Sequence, residues 1–216
     1  MKTTKKALLL TLCAVLLVVS TVFVTMAYLT STTDVVKNTF TFGKVAISLD
    51  EAKVDLYGVP EEGAARVTKN DYKLIPGHTY TKDPTVTVKA DSEESYIRMI
   101  VTISDLADVK AVFGEDFLPQ YFVEGWDDAK WITTGEIVED AEKNTATYEF
   151  RYFETVSTVD GEDKALEPLF TEIVIPGEVS NENLAKLGEL EINVIANAIQ
   201  ADGFAGPDAA WAAFEG

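Results

Sequence analysis

Apolar and polar residues alternate with period two over much of the chain. Thr39, Phe40, Thr41 and Phe42 alternate, and after Gly43 the pattern resumes in another phase through Val45, Ile47 and Leu49. A phase change at a glycine predicts a β-bulge. Residues 85–89 alternate about Val86 and Val88. Residues 96–103 are almost wholly apolar, with Ile97, Met99, Val101 and Ile103 on one face, the mark of a central strand buried on both sides. Ala146, Tyr148, Phe150 and Tyr152 alternate with Thr147, Glu149 and Arg151. A shorter run over 170–175 stops at Pro176 and Gly177. Leu190, Ile192, Val194, Ala196 and Ala198 share one face of the last long strand. Short strands near 39–49, 85–89, 96–103, 145–153 and 189–199, separated by Gly, Pro, Asn and Asp clusters, predict one all-β domain over 39–216. It is an antiparallel sandwich or barrel.

One or two short helices interrupt this pattern. Residues 105–113 place Leu106, Val109, Ala111 and Val112 near helical spacing, with Ser104 or Asp105 as cap. Residues 207–214 read as a terminal helix with Pro207 in its first turn. Residues 50–71 are polar and hold Gly58, Pro60 and Gly63, which suits a hairpin or long loop. Residues 155–166 are acidic and read as an exposed loop.

The N-terminus follows a different pattern. Lys2, Lys5 and Lys6 precede an uncharged stretch over 7–29, and the first acid is Asp34. A basic start, an apolar run and a small-residue exit make a secretory signal over 1–27. Thr25, Met26 and Ala27 resemble an A-x-A exit, so cleavage is expected between Ala27 and Tyr28. The apolar run is also long enough to span a bilayer, so an uncleaved anchor is the alternative. Cys13 is read as an apolar residue of the signal, because Leu12 precedes it where a lipoprotein signal carries a small residue.

Charge and composition narrow the function. Removing the three leader lysines from a net charge of −18 leaves −21 on residues 28–216. That charge argues against nucleic acid and anionic lipid as partners. The single Cys forms no internal disulfide, and the single His, His78, excludes HExxH zinc chemistry. His78 follows Pro76 and Gly77 at a turn entering a strand, where an exposed turn residue is the plainer reading than a base or ligand. No G-x-S-x-G motif is present. The pairs Glu115-Asp116, Asp127-Asp128, Glu139-Asp140 and Glu162-Asp163 are candidates for calcium, but none fits the D-x-[DN]-x-[DN]-G loop and a solvated surface explains them. Trp126, Trp131 and Trp211 are candidates for a carbohydrate groove, with a core role the plainer reading. No catalytic, cofactor or metal residue is assigned, and the chain reads as a non-enzyme.

Three places carry a family resemblance. The sequence from Thr25 through Met26, Ala27, Tyr28, Leu29 and Thr30 leads to Asp34 and then to Asn38-Thr39-Phe40-Thr41-Phe42-Gly43-Lys44-Val45. Pro76-Gly77 is followed by Lys82-Asp83-Pro84, and Ala198-Ile199-Gln200-Ala201-Asp202-Gly203-Phe204 ends the last strand. This resembles the exported TasA and CalY (camelysin) family of Gram-positive bacteria. Ser31 stands where that family commonly carries an acid, and the central region shows no motif of its own.

The resemblance implies a jelly-roll-like sandwich and processing by a SipW-type signal peptidase. It implies a secreted subunit of biofilm-matrix fibres or cell-surface filaments, a homopolymer built head to tail by donor-strand exchange, with other matrix proteins as further partners. The residues permit that mechanism independently. Cleavage frees residues 28–37, Thr-rich and without Pro or Gly, directly ahead of the first strand. Tyr28, Leu29, Thr30, Val35 and Val36 are the candidate polymerisation residues, because such a segment satisfies the open backbone groups of a neighbour's edge strand. Residues 28–38 are therefore set apart as a donor segment. Two other classes stay open: a monomeric surface module binding carbohydrate or protein, and a secreted hydrolase, since camelysin-like members have been described as metalloproteases.

Overall fold

The computed structural model describes residues 43–115, 123–188 and 190–215. The leader over 1–27, the junction of Ala27 with Tyr28, the donor segment with Leu29, Thr30, Val35 and Val36, and the alternation over 39–42 lie outside the described residues.

Ten strands form three antiparallel sheets among the described residues. They are β1 (Ile47–Asp50), β2 (Thr79–Thr81), β3 (Thr85–Val88), β4 (Ser95–Ile103), β5 (Val123–Glu124), β6 (Trp131–Asp140), β7 (Thr145–Tyr152), β8 (Lys164–Ala165), β9 (Glu172–Val174) and β10 (Ile192–Gln200). The largest sheet has the order β10-β4-β7-β6; the others are β1-β3-β8 and β2-β9-β5. With them stand α1 (Leu106–Phe113), α2 (Asn181–Leu184), which runs on into a 3-10 turn over Ala185–Leu187, and α3 (Pro207–Glu215). This architecture is consistent with an all-β sandwich.

The period-two pattern sets which faces meet. In the large sheet Ile103 pairs with Ile192 and Ala146, Val101 with Val194 and Tyr148, and Met99 with Ala196 and Phe150. These rows point inward, where Ile97, Met99, Val101 and Ile103 are buried. Across from them Ile47 pairs with Val88 and Leu49 with Val86, and both valines are fully buried. The apolar run over 96–103 is, as its pattern requires, an interior strand between β10 and β7.

Three expectations need correction, and one strand was not expected. That strand is β6, an edge strand exposed beyond Trp131, whose apolar residues come as the adjacent pairs Trp131-Ile132 and Ile137-Val138 on opposite faces; its register shifts between Thr133 and Ile137, where Gly135 adopts φ 75°. Helix α1 is not capped by the side chain of Asp105, which sits at φ 50° and makes no capping hydrogen bond. Asn144, in the β6–β7 turn, accepts instead: its carbonyl from Leu106 N at 3.0 Å and its Oδ1 from Ala107 N at 2.9 Å. The stretch 155–166 is exposed over most of its length, as expected of an acidic loop, but it is tied down at three points. Val156, Thr158 and Leu166 are buried, and Ser95 bridges Val156. Among the described residues there are three short helices rather than one or two. The extra one, α2, starts at Ser180, whose Oγ accepts from Asn183 N at 3.2 Å.

Candidate functional site

A cleft of about 710 Å³ opens at the Ile103 end of β4. Ile103 and Ile192 form its sheet wall, Val109 and Phe113 of α1 and Leu187 line one side, and Ile173 and Ile175 line another. Lys69, Asn70, Asp71, Glu191 and Asn193 supply polar lining. The cleft is thus lined about equally by apolar and polar groups, and its volume can hold more than one side chain.

Its polar wall is built by an arginine clamp. Arg66 Nε donates to Asp50 Oδ1 at 2.5 Å, and its Nη1 donates to Asp83 Oδ2 at 2.8 Å. Burial works against the Arg66 charge, but the hydrogen bonds and charges of Asp83 and Asp50 prevail and raise its pKa. The two clamped aspartates each precede or follow a buried charge in sequence: Glu51 next to Asp50, and Lys82 next to Asp83. Glu51 also exchanges two backbone hydrogen bonds with Val67, and Lys82 N donates to Thr171 O. Held this way, Lys82 Nζ lies 2.6 Å from Glu51 Oε2, with side chains only 10% and 8% exposed. Asn70 completes the group. Its Nδ2 donates to Glu51 Oε1 at 2.9 Å and to Ala52 O at 2.8 Å, while its Oδ1 accepts from Val54 N at 3.1 Å. Tyr72 closes the wall: its hydroxyl donates to Thr81 O at 3.1 Å, and burial followed by the Glu51 charge raises its pKa.

The candidates named from sequence fall elsewhere. His78 is half-buried at the turn before β2, its Nε2 2.8 Å from Tyr57 O and its ring edge-on to Tyr80 at 4.6 Å. Its visible contacts pin the loop around Tyr57 to β2. The acidic pairs serve separate turns. Asp140 accepts from the backbone N–H of Glu142 and Lys143, Glu139 binds Lys110 of α1, and Asp163 binds Lys89 and Ala90 N. Among the described residues no three His, Cys, Asp or Glu stand close enough to hold a metal ion. Trp131 and Trp211 are buried, and Trp126 donates Nε1 to Trp131 O at 2.8 Å, so the tryptophans form no exposed row. The polymerisation residues Tyr28, Leu29, Thr30, Val35 and Val36 lie outside the described residues. Sequence reading gave no site role to Glu51, Asn70 or Lys82: Lys82 entered only as part of the Lys82-Asp83-Pro84 motif, and Glu51 and Asn70 lie in a polar stretch whose spacing carries no motif.

Two further features bear on what could dock here. The large sheet ends in β6 and β10, and Ile132, Val138 and Ile195 are half-exposed on its outer side. Part of that side is covered by α3, anchored by Arg98. The Arg98 guanidinium lies 4.4 Å from the Trp211 ring centroid and bonds Glu149 at 3.1 Å and Glu215 at 2.8 Å. The described chain enters at the opposite end of β4 from the cleft, where Glu93 N donates to Lys44 O. Among the described residues no helix is long and apolar enough to cross a membrane. Comparison with protein-family models, with curated proteins and with solved structures finds no match to this chain.

Proposed function

We propose that this chain is an exported structural subunit that polymerises head to tail into extracellular filaments, of a biofilm matrix or cell surface, by donor-strand exchange. A SipW-type peptidase cleaves after Ala27, and the domain is a jelly-roll-like sandwich. Residues 28–37 of one subunit enter the cleft of the next. Leu29, Val35 and Val36 fill apolar positions and the segment's backbone pairs with an open strand edge. The observation that carries this reading is polarity. The chain enters the domain at the Ser95 end of β4, and the cleft, with its wall of Ile103, Ile192, Val109 and Ile173, lies at the Ile103 end. At about 3.3 Å per residue, nine residues separate the two by roughly 26 Å. A donor at one pole and an acceptor at the other stack copies along a line, and such a heterologous contact propagates.

The test compares the mature protein with a form lacking residues 28–37, by light scattering and electron microscopy. The mature protein is expected to form filaments and the truncated one to stay a folded monomer. Equal filament formation by both overturns the donor-strand assignment. A second reading, a monomeric binding module, draws on the cleft volume, which lies within the range of small-ligand sites. A mature protein that stays monomeric at high concentration favours it.

A further inference from the structure

We propose that Lys82 and Asn70 join in an intramolecular isopeptide bond, formed by this chain without any other enzyme and promoted by Glu51. The inference is independent of the filament reading and rests on the three side chains in the cleft wall.

Their arrangement supplies each part of an amide exchange. Lys82 is the nucleophile and the Asn70 carboxamide the electrophile. Glu51 bridges the two, one oxygen at 2.6 Å from Lys82 Nζ and the other at 2.9 Å from Asn70 Nδ2. The same carboxylate therefore touches both the attacking nitrogen and the leaving nitrogen, which is the position a proton shuttle requires. The Val54 N–H donates to Asn70 Oδ1 at 3.1 Å, the oxygen on which negative charge develops during attack. Asn70 is held on three sides, by Glu51, Ala52 O and Val54 N, so its carboxamide is fixed before the reaction begins. All three residues line the cleft, which gives the leaving group a way out.

The step balances within these groups. Glu51 takes a proton from the Lys82 ammonium across their hydrogen bond. The neutral amine attacks Asn70 Cγ, and a tetrahedral adduct forms with its oxyanion on Oδ1. The adduct nitrogen from Lys82 loses a proton and Nδ2 gains one, relayed by Glu51. The Cγ–Nδ2 bond breaks, the Cγ–Nζ amide remains, ammonia leaves as neutral NH3, and Glu51 keeps the proton it took from Lys82. No oxidant, metal or water is consumed. A charged pair held out of water is expensive, whereas the amide and the protonated Glu51 that replace it carry no charge.

The test is the intact mass of the purified mature protein, with peptide mapping. The protein is expected to be lighter by one ammonia than its sequence, and proteolysis is expected to release a branched peptide joining the Asn70 and Lys82 segments. Lys82→Arg and Asn70→Ala should each restore the full sequence mass. Glu51→Gln retains both reactants and should also show the full mass, with folding checked by circular dichroism. A full mass in the wild-type protein after prolonged warm incubation overturns the proposal. A deficit that persists in Lys82→Arg also overturns it, since it reports ring closure of Asn70 onto its own backbone. A Glu51→Gln protein that links as completely as wild type removes Glu51 from the reaction.

Discussion

Gly58 occupies φ 75°, and a Cβ there would stand 2.6 Å from the Tyr80 Cα. Gly58→Ala combines left-handed backbone strain with a backbone clash, so it should destabilise the domain by about 2 kcal/mol or more in urea denaturation. Tyr152 and Glu167 make a different kind of point. The Tyr152 hydroxyl donates to Glu167 Oε2 at 2.5 Å, and this bond lowers the Glu167 pKa. A depressed carboxylate adds stability that is present above its unfolded pKa and lost as pH falls through the folded value. Tyr152→Phe should therefore cost about 1 kcal/mol at neutral pH, reduced by the exposure of the carboxylate, and almost nothing well below pH 4. Denaturation curves at the two pH values check it. A cost that stays constant through acid would show that the Tyr152 hydroxyl acts independently of the Glu167 charge.

Element by element, what a residue shows of itself was readable and what it borrows from a distant strand was not. The inward rows of β4, β7 and β10 were legible because side chains alternate at the strand's own period. The buried tryptophans were likewise legible from their type. β6 was hidden because it is an exposed edge strand whose apolar residues come in adjacent pairs on opposite faces, and the cap of α1 was hidden because Asn144 is supplied 37 positions away. The Glu51, Asn70 and Lys82 group was hidden for the same reason: Arg66 assembles it by clamping Asp50 and Asp83, which no local pattern encodes. The borrowed cap gives a prediction. Asn144→Ala should cost about 1 kcal/mol and speed hydrogen exchange in the first turn of α1, while leaving α3 unaffected. Helix α3 depends on one side chain in turn. Arg98 is buried between Trp211, Glu149 and Glu215, so Arg98→Ala should cost about 3 kcal/mol and shift Trp211 fluorescence to the red as the helix releases. An unshifted spectrum with full stability would mean that apolar contacts hold α3 without the arginine.

At the scale of the whole molecule, charge governs how copies approach one another. Residues 28–216 carry −21, so copies repel until salt or acid reduces the field. Filament growth, followed by light scattering, should accelerate with added salt and as pH falls from neutral toward about 5. Below the ordinary carboxylate range the gain should reverse, because Glu167, Asp140 and Asp163 have lowered pKa values and their contributions disappear on protonation. Growth insensitive to salt would mean that repulsion between copies does not limit assembly. The separation of the chain's point of entry from the cleft has one more effect. On the donor-strand proposal, a line of such subunits would have two unlike tips, one offering a vacant trough and the other residues 28–37. A free peptide copying residues 28–37 has no domain behind it, so on that proposal it should plug the trough tip and leave the other tip untouched. Doses of that peptide should act as a chain terminator, shortening fibres in proportion to the peptide-to-subunit ratio and sparing the amount of folded protein.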